Sequence, residues 1–383
     1  MGTVRLGTDV LLGGKMDLLE GARVGLITNH TGLDSGGTPT IDLLHQAPDV
    51  ELACLMGPEH GIRGDQDHAT IASATDERTG LPVHSLYAET RKPTPEMLEG
   101  LDALVFDIQD VGARFYTYIA TLSGAMEAGG EKGIPVVVLD RPNPVSGMIV
   151  EGPMCDSELR SFVGPHEIAM RHGMTVGELA GMFHRHFGVG VEPVVVPCHG
   201  WTRSMFWEET GLDYVGPSPN LLTVDQAIIY SGPCLMESSN LSMGRGTDVP
   251  FEVVGAPWLD PERVLAKIGP DEAPGAALEA TTFTPSGESP YPFAGVECRG
   301  VRIRLTDRPA YRAAPTGLSL AAAIRDTCDE FEMSEKGFAR LSGRQKLVDA
   351  FLADAPVDEL LGIAEEGVDA FLGLRAQHLR YPA

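Results

Sequence analysis

The sequence has 383 residues, which is long enough for two domains rather than one ordinary core. Its formal net charge is −25, from 54 acidic and 29 basic residues, so its field repels nucleic-acid phosphates and anionic membranes, and no basic run offsets it locally. Hydrophobic residues make up 43% and charged residues 22%, which are ordinary globular values that argue against global disorder.

Short runs rich in Val, Ile and Leu alternate with helical patterns over the first 200 residues. These runs are too short for helices and have the composition of fully buried parallel strands. Strands that alternate with helices predict an α/β fold built on a doubly wound parallel sheet. The predicted strands are 23–29, 50–56, 101–108, 134–140 and 191–197.

Three helical patterns between these strands begin at recognisable start signals. A pattern at 40–47 follows Thr38 and a proline, and one at 94–101 has Thr94 as N-cap with proline at the first helical position. A third, at 175–183, opens with a capping box from Thr175 to Glu178. We therefore expect a helix at each of these places.

The composition changes after residue 222. A turn-rich PSPN at 217–220 precedes a stretch rich in Gly, Ser and Pro, which leads to a predicted strand at 300–307 and helical patterns at 318–331 and 357–379. We interpret 1–222 as the catalytic domain and 223–383 as a smaller C-terminal α/β domain that closes the cleft.

The six cysteines show no CxxC motif and no Cys/His pairing at zinc spacing, so neither a structural zinc site nor a disulfide scaffold is predicted. The first residues lack a basic start joined to a long apolar stretch, and no window approaches the ~18 apolar residues of a membrane span. We therefore expect a cytoplasmic protein without membrane insertion, with an exported protein that has lost its leader as the alternative.

Polar clusters follow all five predicted strands. Ligands of open parallel sheets bind outside the carboxyl ends of the strands. Turn chemistry alone explains one or two such clusters, but five on one edge indicate a site for a polar ligand. The clusters contain Asn29 and His30; Glu59, His60 and Arg63 within GPEHGIRGDQ; Asp107, Asp110 and Arg114; Asp140 and Arg141; and His199.

The absence of several motifs reduces the number of possible reaction classes. No GxGxxG follows the first strand, and the sequence has neither a GxxxxGK[ST] phosphate loop nor a GxSxG nucleophile elbow. Carboxylates remain in excess, and glycoside hydrolysis needs an acid and usually a second carboxylate. The carboxylates that suit this role are Glu59, Asp107, Asp110, Asp140, Glu151 and Glu237.

At these residues the sequence resembles the exo-β-N-acetylmuramidase family of bacterial proteins. The matching stretches lie in order along nearly the entire chain. They are VGLITNHTG (24–32), GPEHGIRGD (57–65), TGLPVHSLY (79–87), LVFDIQDVGARFYTY (104–118), VVVLDRPNP (136–144), VEGP (150–153), RHGMTVGELA (171–180), PSPN (217–220) and GRGTDVPFEVVGAPW (244–258).

The resemblance implies an enzyme that removes terminal N-acetylmuramic acid from the non-reducing ends of peptidoglycan fragments during cell-wall recycling. It implies a Rossmann-like domain packed on a smaller domain, an active site in the cleft between them, and no cofactor or metal. It makes Glu59 the leading catalytic candidate, with His60 and Arg63 lining the pocket. Many relatives read Glu-Gly-Thr-Asn where this chain has ESSN, which keeps Glu237 and Asn240.

A muramyl substrate carries a lactyl carboxylate, which the planar fork of an arginine binds well. The candidates for this contact are Arg63, Arg141, Arg171 and Arg245. A salt bridge to a nearby acid is the alternative for each arginine, and one of Asp107 and Asp110 is alternatively a core carboxylate that pairs with Arg114. The catalytic candidates are Glu59, His60, Asp107 and Asp110. The substrate-binding candidates are Asn29, His30, Arg63, Arg114, Tyr116, Asp140, Arg141, Glu151, Arg171, Asn220, Glu237, Asn240 and Arg245.

Two other classes of protein stay open. One is a metal-dependent hydrolase or deacetylase that acts on wall sugars through His60, Asp65 and His68, with His30, although that spacing matches no standard metal motif. The other is a non-catalytic protein that binds muropeptides. The oligomeric state does not follow from the sequence.

Overall fold

The computed structural model describes residues 3–58, 62–63, 74–87, 90–287 and 290–383. Its strands are β1 Arg23–Thr28, β2 Glu51–Gly57, β3 Ala74–Thr75, β4 Pro82–Ser85, β5 Ala103–Asp107, β6 Val136–Leu139, β7 Glu151–Met154, β8 Ala169–Arg171, β9 Val194–Val196, β10 Val253–Ala256, β11 Ala276–Phe283 and β12 Cys298–Leu305. Its helices are α1 Gly7–Leu12, α2 Thr40–His45, α3 Tyr118–Lys132, α4 Val176–Arg185, α5 Val224–Tyr230, α6 Pro261–Leu265, α7 Ala313–Thr327, α8 Glu335–Ser342, α9 Gln345–Leu352, α10 Val357–Glu365 and α11 Val368–Ala376.

The main sheet has the strand order β3-β4-β2-β1-β5-β6-β9. All neighbouring strands run parallel except the edge strand β3, which is antiparallel to β4. Numbered along the chain, the parallel strands follow the order 3-2-1-4-5-6 of a Rossmann fold, and the order reverses between β1 and β5. The predicted doubly wound sheet is confirmed, and the reversal marks where a ligand is expected.

Both faces of this sheet are covered, which explains why its central strands are continuous apolar runs. Along β5, Leu104 and Phe106 face the core that contains α3 and α4. The alternating residues Ala103 and Val105 face the core beneath α1 and α2. Because side chains alternate along a strand, one short run of sequence serves both layers.

The structure confirms one of the predicted helix starts and contradicts another. The capping box is confirmed, because the Thr175 side chain accepts from the Glu178 amide and the Glu178 side chain accepts from the Thr175 amide. The helix predicted at 94–101 is wrong, since residues 95–100 form only turns. Gly100 has a φ of 70°, a left-handed conformation that stops a helix after its first turn.

The second region is built on a three-stranded antiparallel sheet in the order β10-β12-β11. The predicted strand at 300–307 is β12, and the pattern at 318–331 overlaps α7. The pattern at 357–379 forms two helices, α10 and α11, because Gly367 adopts a φ of 88° between them. In the parts of the chain that the structure describes, no helix combines the length and apolarity needed to cross a bilayer.

Candidate active site

Side chains that follow β1 and β5 are joined at the point where the strand order reverses. The Asn29 side-chain oxygen accepts from the amide (2.9 Å) and the hydroxyl (2.6 Å) of Thr31. The Thr31 hydroxyl in turn accepts from the Gln109 amide at 3.0 Å. Asn29 Nδ2 and Gln109 Oε1 are buried and have no hydrogen-bond partner among the described residues. This edge of the sheet therefore carries two polar atoms that form no hydrogen bond with the described residues.

The segment 216–220 crosses this edge of the sheet. Nε2 of His30 donates to the Gly216 carbonyl at 2.8 Å, and the Tyr118 hydroxyl donates to the Pro217 carbonyl at 2.9 Å. Asn220 then donates from Nδ2 to the Tyr291 hydroxyl at 3.1 Å. The PSPN segment thus connects the end of β1 to the C-terminal region.

Two neighbouring cavities together form what we call the cleft, and the smaller of them lies where the N-terminal and C-terminal regions meet. The smaller, of about 120 Å³, is lined by Tyr116, Tyr118 and Asn220 on one side and by Tyr230, Arg245, Phe251 and Tyr291 on the other. The larger, of about 350 Å³, shares Arg245 and Tyr291 and is also lined by Glu237. Of the predicted site residues, Tyr116, Asn220, Glu237 and Arg245 therefore meet in the cleft.

Asp107 is fully buried and its two carboxylate oxygens are occupied. Oδ1 accepts from Arg141 Nε at 2.6 Å, and Oδ2 accepts from the hydroxyls of Thr40 (2.5 Å) and Thr8 (3.1 Å). Arg141 also donates to the Leu33 carbonyl at 2.7 Å. The partner of Asp107 is therefore Arg141 and not Arg114, and these contacts favour a positioning role for Asp107.

Asp110 and Asp140 lie on the same edge of the sheet. Asp110 Oδ2 accepts from the Gly112 amide at 2.7 Å and lies 3.4 Å from His172 Nε2, while its Oδ1 is buried without a partner among the described residues. Asp140 accepts from the Gly177 amide and from the hydroxyls of Thr175 and Tyr381. Burial raises the pKa of Asp140 to about 6 despite these donors.

Three other substrate-binding candidates lie in the junction between the two regions. Both oxygens of Glu151 accept from backbone amides in the first turn of α7, and Glu151 also pairs with the buried Arg171 at 3.1 Å. Arg114, also buried, donates to the carbonyls of Leu341 and Ser342 at the end of α8. These charges compensate helix termini and so bind the two regions together.

Arg63 is held by two carboxylates. It donates from Nε and Nη2 to the two oxygens of Asp76, each at 2.8 Å, and from Nη2 to Asp42 of α2 at 3.2 Å. Its guanidinium therefore anchors this part of the loop after β2 to the body of the domain.

Asp76→Asn should lower the free energy of unfolding above pH 4 and have a smaller effect toward pH 2. The Arg63 hydrogen bonds lower the pKa of Asp76 to about 2 in the folded protein, below its value of about 4 when unfolded. The stabilisation is therefore complete above the unfolded pKa and is lost as the pH falls through the folded pKa. Urea unfolding of both proteins from pH 2 to 6 measures this, and a difference that stays constant with pH would contradict it.

Several predicted residues do not line the cleft or lie outside the residues that the structure describes. Glu59 and His60 lie outside the described residues, as do Asp65 and His68 of the proposed metal site. Among the residues that are described, no three His, Cys, Asp or Glu side chains are arranged to hold a metal ion. Asn240 bonds the backbone of Glu330 and Glu332, at 2.7 and 3.0 Å.

The sequence interpretation predicted Tyr116 but missed three other aromatic residues of the cleft and the histidine beside Asp110. Tyr230, Phe251 and Tyr291 line the smaller cavity, and His172 is fully buried. Tyr291 lies in the stretch SPYPF, whose prolines mark a loop, and an aromatic residue in a loop is the signal that was available. Phe251 and His172 lie in stretches that match the family, but their contacts, like those of Tyr230, depend on distant segments and did not follow from the sequence.

Two family models together match nearly the entire chain. The model described as exo-beta-N-acetylmuramidase NamZ, N-terminal, matches residues 24–225, and its C-terminal counterpart matches residues 228–381. The chain is also 42% identical over 381 residues to the peptidoglycan beta-N-acetylmuramidase NamZ of Bacillus subtilis (strain 168), covering 99% of this chain and 91% of that protein.

Two solved structures share the fold. Both are DUF1343 family proteins of Bacteroides fragilis NCTC 9343. The first superposes with a TM-score of 0.90 at 34% identity, over 99% of each chain. The second superposes with a TM-score of 0.80 at 28% identity, over 100% of this chain and 99% of the other. The likeness covers both regions, so their arrangement is shared as well.

Proposed function

This chain belongs to the exo-β-N-acetylmuramidase NamZ family, and on that premise we propose that it is a glycoside hydrolase of peptidoglycan. It releases terminal β-linked N-acetylmuramic acid from the non-reducing ends of wall fragments, in cell-wall turnover and recycling. The observation that carries this proposal is the 42% identity to a peptidoglycan beta-N-acetylmuramidase, which extends over 99% of the chain.

The cleft supplies chemistry that suits a sugar. Tyr116, Tyr118 and Tyr291 line the smaller cavity with aromatic rings and Asn220 lines it with an amide, a combination that suits a sugar ring. Arg245 supplies a cation in a chain with a net charge of −25, and the lactyl group of muramic acid is an anion. We assign the sugar to this cleft for these reasons.

Glu59 is the proposed general acid. Glycosidic bond cleavage needs a proton on the leaving oxygen, which a carboxylic acid supplies. Both oxygens of Asp107, Asp140 and Glu151 already accept hydrogen bonds from the fold, so these three carboxylates suit positioning better than proton transfer. Glu59 follows β2, which neighbours β1 in the sheet.

The test is a pair of chromogenic substrates. We expect release of chromophore from a β-N-acetylmuramide and none from the matching β-N-acetylglucosaminide. Release from the glucosaminide at an equal rate would refute muramidase specificity, and release from neither, with binding of N-acetylmuramic acid intact, would favour a non-catalytic muropeptide-binding protein. Loss of activity in EDTA, with metal in the purified protein, would favour the metal-dependent hydrolase.

A further inference from the structure

Arg245 occupies the wall that the two cavities of the cleft share. Its guanidinium carbon lies 5.0 Å from the ring centroid of Phe251 and 5.0 Å from that of Tyr291. Its Nη1 lies 3.3 Å from the Tyr291 hydroxyl. Contact with two aromatic rings holds the planar fork of an arginine in one orientation, which is the preparation that carboxylate binding needs.

The anion that Arg245 contacts in this structure is the side chain of Glu237. Its Oε1 pairs with Nη2 of Arg245, and the other side-chain donor it meets within the described part of the chain is the thiol of Cys234, 3.2 Å from Oε2. A thiol is a weak donor, so Arg245 is the main interaction that holds this carboxylate. Glu237 lines the larger cavity and its side chain is 23% exposed, so it has access to water if it leaves Arg245.

The other three arginines considered for the lactyl carboxylate have different surroundings. Arg141 and Arg171 are only 3% and 1% exposed, and each is bound to a carboxylate and a backbone carbonyl. Arg63 is bound by the two carboxylates of Asp76 and Asp42. Arg245 is the one of the four that lines the cleft, and among the described residues it contacts a single carboxylate.

We propose that Arg245 is the carboxylate-binding residue of the cleft, and that Glu237 occupies it as a substitute anion until the carboxylate of an acidic sugar displaces it. This rests on the proposed function, because the acidic sugar is N-acetylmuramic acid. Exchange of one carboxylate for another keeps the partly buried guanidinium paired, which avoids the cost of an isolated charge. A neutral sugar such as N-acetylglucosamine has no carboxylate to exchange and leaves the pair intact.

Binding of the free sugars tests the exchange directly. Titration calorimetry should show that Arg245→Met binds N-acetylmuramic acid about 10-fold or more weakly than the unaltered protein does. Its affinity for N-acetylglucosamine should change little. Glu237→Gln should bind N-acetylmuramic acid about 3- to 10-fold more tightly, because the competing anion is gone. The preference between the two sugars changes in opposite directions in the two variants.

The matched control is the pair Arg302–Glu252, which lies outside the cleft and has a 3.0 Å contact. Arg302→Met should leave both affinities unchanged. Arg245→Met loses ring contacts, so its thermal unfolding is measured alongside, and Glu237→Gln, which keeps its size, tests the proposal independently. Unchanged discrimination in a folded Arg245→Met, or weaker binding of N-acetylmuramic acid by Glu237→Gln, would overturn the proposal.

Chromophore release and sugar binding, measured on the same proteins, distinguish a failure of this proposal from a failure of the proposed function. If the unaltered protein releases no chromophore but binds N-acetylmuramic acid in an Arg245-dependent way, the hydrolase assignment fails and the carboxylate site stands. If the protein hydrolyses the muramide while Arg245→Met keeps the full preference for the acidic sugar, the hydrolase assignment stands and the carboxylate site fails.

Discussion

Glu59→Gln should lower kcat for a β-N-acetylmuramide by about 100-fold and leave the protein folded. Glutamine keeps the size and the hydrogen-bonding oxygen of the side chain but has no acidic proton to give to the leaving glycosidic oxygen. The loss is expected in kcat rather than in KM, because the interaction removed is made in the transition state. Steady-state kinetics of both proteins, with circular dichroism as a check of folding, measure it.

The control for this variant is Glu51→Gln. Glu51 begins the same strand, β2, and forms a surface ion pair with Arg23, so its loss should leave kcat unchanged. Near-normal turnover in Glu59→Gln would remove Glu59 from the mechanism and turn attention to the remaining carboxylates, among which Asp110 has a buried oxygen without a partner in the described part of the chain.

The strands of the main sheet were predictable because they are buried on both faces. Such strands appear in the sequence as uninterrupted apolar runs. β1, β5, β6 and β9 lie within the predicted ranges, and β2 ends one residue after its predicted range. The edge strand β3 and its neighbour β4 were not predicted. A two-residue strand such as β3, both of whose residues are exposed, leaves too little pattern to detect.

The partners of the charged side chains were not predictable. A cluster of polar residues after each strand follows from the sequence, but the pairing of Asp107 with Arg141 joins residues 34 positions apart and depends on β5 and β6 being neighbours. Arg114 contacts residues more than 200 positions away. For the same reason the sequence proposed four arginines for one carboxylate, and only their surroundings distinguish Arg245.

Asp107 and Arg141 form a buried ion pair at the point where the strand order reverses, and this makes Asp107 important for stability. The Asp107 side chain is fully buried and that of Arg141 is 3% exposed. Removal of one partner leaves the other as an uncompensated charge inside the protein, which typically costs about 3 to 5 kcal/mol. Thr8 and Thr40 would also lose the anionic oxygen to which they donate.

Asp107→Asn should therefore lower the free energy of unfolding by about 3 kcal/mol. Urea denaturation followed by circular dichroism measures this, with Glu51→Gln as the comparison, because its ion pair with Arg23 is exposed and should contribute about 0.5 kcal/mol or less. The same measurement separates two roles for Asp107. A variant with unchanged stability and a large loss of kcat would show that Asp107 acts on the substrate, whereas a destabilised variant that keeps kcat at low temperature would show that its role is to stabilise the fold through Arg141.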